Sequence, residues 1–80
     1  MSIEEAINDM KARISAISTG AEIKVVKISG EEARLSVFVT AAEVGPIHEA
    51  TLQPTLDLLN KDGLDLQVLV YDRDHPAQVG

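Results

Sequence analysis

The stretch from Ala21 to Thr40, AEIKVVKISGEEARLSVFVT, decides the fold. Two β-branched runs, Ala21–Ser29 and Ala33–Thr40, flank the short loop Ser29-Gly30-Glu31-Glu32, a pattern that predicts an antiparallel hairpin. In the second run Leu35, Val37 and Val39 share one parity, while Arg34, Ser36, Phe38 and Thr40 share the other. One face of that strand is therefore core. The first run breaks its alternation at Val25-Val26, which predicts either burial on both faces or a bulge.

Upstream of the hairpin, Ser2 and Glu5 form an S-x-x-E capping box. Ile3, Ala6, Ile7, Met10, Ile14 and Ile17 then recur at spacings of three and four before Gly20. This predicts an amphipathic helix with one face laid on a sheet. Its two heptads are too short for a coiled-coil seam without partners.

Downstream lies TAAEVGPIHEATLQP, residues Thr40 to Pro54, where a Gly-Pro pair and a second proline interrupt a helix-like pattern. Pro46 to Lys61 reads as helical, and Asp62-Gly63 supplies a glycine for the left-handed position that ends a helix. A proline inside a helix removes a hydrogen bond at a cost of about 3 kcal/mol. The expectation is a short turn from Pro46 followed by a bent or restarted helix through Asn60. Leu64 to Tyr71 then alternates Leu64, Leu66, Val68 and Val70 against Asp65, Gln67, Leu69 and Tyr71, as a strand with one apolar face does. Residues 1–72 form a single domain on this reading, and 73–80, with Pro76 and no apolar periodicity, form a flexible tail.

The order α-β-β-α-β predicts an α+β fold, a two-layer sandwich with both helices on one face of a three-stranded sheet. The crossover rule makes the last strand parallel to the second, and pairing on the far side of the first gives the order 2-1-3. Either way one sheet face is left bare. Phe38, Leu69 and Tyr71, joined by Val26 and Ile28, make that face a candidate interface. The stems of Lys24, Lys27 and Arg34 lie near enough to cover part of it.

The same topology gathers the end of the second strand, the start of the second helix and the exit of the last strand at one edge. Glu43, His48 and Glu49 would share that rim with Asp72, Asp74 and His75. His48, Glu49, Asp72, Asp74 and His75 are an alternative metal- or small-anion-binding set, since imidazole and carboxylate suit divalent ions. The spacing is not diagnostic: His48-Glu49 has Leu52 where H-E-x-x-H needs its second histidine, and Asp72-Arg73-Asp74 lacks the rest of a calcium loop.

Composition narrows the function classes. The 80 residues hold 7 Lys+Arg against 13 Asp+Glu, for a net charge of -6, which repels phosphate backbones and anionic lipid alike. Neither nucleic acid nor a membrane is an expected partner. Zero cysteines exclude disulfides, thiolate nucleophiles and sulfur-ligated metals. The start, MSIEEAINDM, has neither the basic nor the apolar region of a secretory signal, so the cytoplasm is expected. No G-x-S-x-G, P-loop or G-x-G-x-x-G occurs, and no serine is set beside a histidine, so neither an enzyme nor a cofactor is expected.

The run from Ile3 to Val70 resembles the C-terminal domain of NifU-type iron-sulfur scaffold proteins in element order, in length and in the passage from hairpin strand through TAAEVGP into IHEATL. That family's segment resembles T-G-A-C-x-x-C-P-x-x-x-x-T-L, with two cluster-holding cysteines. Thr40, Ala42, Pro46, Thr51 and Leu52 match it loosely, while Glu43 stands near the first cysteine and Gly45 at the second. The resemblance implies a fold and an ancestry among assembly proteins, without the cluster. The expected function is a small, acidic, non-catalytic interaction or assembly module that binds another protein or itself, as a homodimer, through the bare sheet face or an edge.

Overall fold

The computed structural model describes residues 1–74. Its elements are helix α1 (Ile3–Ile17), strands β1 (Glu22–Lys27) and β2 (Glu32–Val39), helix α2 (Ala41–Asp57) and strand β3 (Asp65–Asp72). A π-helical turn, Leu58–Asp62, extends α2. Both helices pack on one face of a three-stranded mixed sheet, the α+β sandwich expected from the sequence.

Helix α1 begins as its capping box dictates. The Glu5 amide donates to Ser2 Oγ at 3.1 Å, and the Ser2 amide donates back to Glu5 Oε1 at 3.1 Å. Ile3, Ala6, Ile7, Met10 and Ile14 are buried, whereas Ile17, last in the periodic series, stays exposed.

The strand order is β1-β2-β3, which corrects the expected 2-1-3. Strand β3 is parallel to β2 as expected but pairs directly with it, from Glu32 opposite Asp65 to Val39 opposite Asp72. The reason is burial. Ala33, Leu35, Val37 and Val39 are wholly buried, and a strand with so complete an apolar row gains most at the centre of the sheet, within the core. Strand β1 becomes an edge, and neither expectation for Val25-Val26 holds. The β1–β2 register runs unbroken from Glu22 opposite Phe38 to Lys27 opposite Ala33, so there is no bulge. Both valines are exposed, at 40% and 54%: Val26, opposite Arg34, points to the face without helices, and Val25, opposite buried Leu35, points to the helix side, where the helices lie over β2 and β3 and leave β1 thinly covered. Lys24 and Lys27 mark β1 as an edge that discourages further strand pairing, and Lys27 Nζ reaches Glu4 of α1 at 3.1 Å.

Helix α2 starts at Ala41, five residues earlier than expected, and runs through both Pro46 and Pro54 without restarting. Pro46 withholds a hydrogen bond from Ala42, but both residues are exposed and water can serve that carbonyl. Burial of Ile47 and Thr51 holds the segment on the sheet. Thr51 spends its hydroxyl locally, donating to the Ile47 carbonyl at 2.9 Å. The π-helical turn ends at Gly63, whose φ of 67° lies in the left-handed region and whose amide donates to the Leu58 and Leu59 carbonyls.

Leu35→Ala should lower unfolding free energy by about 2–5 kcal/mol, since it opens a cavity in the core between the sheet and the helices. Gly63→Ala should cost about 1–2 kcal/mol from backbone strain alone, there being open space where its Cβ would stand. Urea denaturation midpoints check both.

Candidate functional site

The pairing registers define the uncovered face of the sheet as a grid. Residues opposite one another across a ladder point to the same side, which gives the rows Val26–Arg34–Gln67, Lys24–Ser36–Leu69 and Glu22–Phe38–Tyr71. A further row is formed by Ile28, whose amide donates to the Glu32 carbonyl, with Glu32 and Asp65. Phe38, Leu69 and Tyr71, singled out in the sequence, therefore meet in one corner. Lys27 points to the helix side instead, opposite buried Ala33.

In that corner the rings of Phe38 and Tyr71 stack, with centroids 5.2 Å apart and planes inclined by 19°. Such a pair contributes about 0.5–1.5 kcal/mol beyond its buried area. Lys24 Nζ lies 5.3 Å from the Phe38 centroid, so the ammonium of this lysine sits over one of the two rings. Leu69 beside them is 39% exposed. Val26 and Ile28 form a second apolar corner, diagonally opposite.

Polar groups occupy the other diagonal. Arg34 Nε donates to Gln67 Oε1 at 3.3 Å, and Gln67 Nε2 donates to Glu32 Oε2 at 3.3 Å and to Asp65 Oδ2 at 3.5 Å. Lys24 stands at the opposite end, next to Glu22. The face is thus two apolar corners split by a charged stripe.

The rim at the top of the sheet is built by a different set of residues. Thr40 Oγ1 donates to Glu43 Oε1 at 2.8 Å. Hydrogen bonds from the Thr40 and then the Ser18 side chains hold the Glu43 carboxyl below its ordinary range, and the Arg73 charge adds to the effect. Arg73 donates through its amide to the Val39 carbonyl at 2.7 Å and through its guanidinium to the Gly20 carbonyl at 2.7 Å. Asp74 donates its amide to Asp72 Oδ1 at 3.0 Å. The expected tail from residue 73 thus begins with two bonded residues, and residues 75–80 lie outside those described.

Because α2 begins at Ala41, His48 and Glu49 are its eighth and ninth residues, about 10 Å along the axis from its start. Among the described residues no group of three or more His, Asp or Glu is placed to hold a metal ion. His75 lies outside the described residues. What the rim does hold is a carboxylate–hydroxyl–guanidinium junction that ties together the ends of α1, β2 and β3, and Arg73 carried no sequence signal for it.

Two further features escaped the sequence reading. Leu52, Leu56 and Leu59 form an exposed stripe along α2 and its π-helical turn, at the spacing i, i+4, i+7. That periodicity was legible, but expecting a bend or restart at Pro54 hid it. A cleft of about 530 Å³ opens between α1 and α2, lined in part by Asp9, Arg13, Gln53, Pro54, Asp57 and Lys61. Its polar walls pair within their own helices, Arg13 with Asp9 and Gln53 with Asp57, each at 3.0 Å.

Among the described residues no helix is long and apolar enough to cross a membrane. No protein-family model, no curated protein and no solved structure matches the chain.

The Glu43 junction has a defined pH signature. A carboxyl whose folded pKa lies below its unfolded pKa stabilises the fold above the unfolded value, and that contribution is lost as pH falls through the folded one. Glu43→Gln should therefore be less stable than the native chain at neutral pH, and the gap should close in acid. Denaturation midpoints of both proteins across the carboxylate range check this; a gap constant with pH would show that ionisation of Glu43 is immaterial.

Proposed function

We propose that this chain is a non-catalytic protein-interaction module that docks through the open face of its sheet. The observation that carries this reading is the concentration of Val26, Ile28, Phe38, Leu69 and Tyr71 on the one sheet face that, among the described residues, no helix covers. Exposed apolar side chains on a rigid sheet cost little conformational entropy when a partner covers them, and the stacked ring pair is already in place. The helix-side face is spoken for by the chain's own core. An ancestry shared with NifU-type scaffold domains fits the α-β-β-α-β order. The positions that resemble that family's cysteines are Glu43 and Gly45 in the early turns of α2, so no cluster-holding role is proposed.

Affinity capture from lysate of the protein's own source tests the reading when the tagged chain is run beside a Val26→Ser/Leu69→Ser variant. Both positions are exposed, so the variant should keep the native melting profile. A stoichiometric companion held by the native chain should be lost from the variant. If both retain the same chains in the same amounts, the sheet face is not the docking surface.

A further inference from the structure

Resting on that reading, we infer that the partner is anchored by an extended apolar segment with basic ends, which adds to the free edge of β3 as a fourth strand. The open face ends at that edge, so one partner covers both.

The two edges of the sheet are guarded differently. Strand β1 carries Lys24 and Lys27, which discourage a further strand. Strand β3 runs for eight residues in unbroken register with β2 and holds no lysine, no proline and no bulge. Its ladder to β2 is made by the odd-numbered residues: the Asp65 amide donates to the Glu31 carbonyl, and beyond the strand the Arg73 amide donates to the Val39 carbonyl. Backbone groups of a strand alternate in direction, so the amides and carbonyls of Leu66, Val68 and Val70 face away from β2. Among the described residues no other backbone group pairs with them. Such a row is a template for one more strand, and only extended backbone matches its spacing.

Apolar side chains flank the template above and below. On the open face lie Leu69 and Tyr71, with the Phe38 ring stacked against the latter. On the helix side α2 packs over β3, and the helical period decides which of its residues overhang the edge. Ile47 and Thr51 meet the sheet, while Ala50, Gln53 and Asp57 line the cleft with α1. At about 100° per residue, Leu52, Leu56 and Leu59 then fall on the flank turned away from α1, beyond β3. An added strand meets Leu69 with one parity of its side chains and the leucine stripe with the other, so its centre is apolar on both. The leucines alone fix no orientation; the hydrogen-bonding row of β3 does.

Charge sets the ends of the segment. Asp65 stands at one end of β3, and Asp72 and Asp74 stand at the other. The strand itself holds no cation, and the Arg73 guanidinium is turned to the Gly20 carbonyl ahead of β1. Basic residues at both ends of the segment complement this arrangement, and the net charge of -6 favours their approach.

The probe is a synthetic peptide of about eight residues, with valines between terminal lysines. It is N-methylated at alternate residues so that it offers a single hydrogen-bonding edge. Titrated into the full chain, it should bind saturably and slow amide hydrogen exchange at Leu66, Val68 and Val70, leaving Ile23 and Val25 on β1 unchanged. The same peptide ended by glutamates should bind about tenfold more weakly, and a fully N-methylated one should not bind. Val68→Pro removes an edge donor and no ladder bond, and should abolish binding. Leu52→Ser/Leu59→Ser changes two exposed positions and should weaken binding about tenfold, which keeps the test decisive if the proline variant does not fold in thermal melts. No saturable binding, protection on β1 in place of β3, equal affinity for the glutamate-ended peptide, or a native chain whose β3 edge is taken up by self-association in sedimentation equilibrium would each overturn the inference. A captured companion lost from the Val26→Ser/Leu69→Ser variant but retained in full by Leu52→Ser/Leu59→Ser would sink this inference and leave the docking face standing.

Discussion

The row Ala33, Leu35, Val37, Val39 is the constraint on which the rest of the molecule depends. All four side chains are wholly buried, and they are buried because β2 alone has a strand neighbour on both sides and helices above. An 80-residue chain has apolar surface enough for one core, and here that core is spent on one face of one sheet. Two helices suffice to cover β2 and β3 but leave β1 largely to solvent. The far face must then meet water with whatever the opposite parity of the three strands supplies. That parity supplies an incomplete polar surface.

The sequence disclosed the elements and the two-layer sandwich, though not the strand order, because its strongest signals are local. The capping box at Ser2 and Glu5, the 3.6-residue recurrence of Ile3 to Ile14 and the strict alternation from Ala33 to Val39 need no tertiary context. The start of α2 was misread for the opposite reason. Gly45-Pro46 and Pro54 carry strong local penalties against helix, and the burial that outweighs them, of Ile47 and Thr51, exists only once β3 is docked. Where a carbonyl loses its donor to Pro46, it does so on the solvent side, which lowers the cost below what the proline signals in isolation.

Legibility of the candidate site divides along the same line. Which residues share the open face follows from a period of two, and Phe38, Leu69 and Tyr71 were identifiable without knowing the strand order. Which of them touch does depend on that order. In a 2-1-3 sheet β1 would separate Phe38 from Tyr71 by about 10 Å, two inter-strand spacings. With β2 at the centre the two are register partners and their rings stack. The rim shows the converse case. Its side chains were gathered on paper by assuming that α2 begins near Pro46, and a start at Ala41 leaves His48 and Glu49 about two turns from the helix start. Glu43 remains at the junction with Thr40 and Arg73.

Among the described residues two exposed apolar surfaces remain, the leucine stripe of α2 and the open sheet face, and they are not equivalent as candidates for docking. The stripe is a single row of leucines that ends in a π-helical turn, and each of its side chains must be ordered when it is covered. The sheet face holds its aromatic pair already stacked, on two strands locked in parallel register, so less freedom is lost on binding. Its polar residues also form a directional pattern, Lys24 beside Glu22 at one end of the diagonal and two carboxylates around Gln67 at the other. A directional pattern distinguishes one orientation of a partner from another, whereas a bare apolar row does not. Orientation is what separates docking from adhesion, and the docking proposed above is placed on the surface whose pattern is able to specify it.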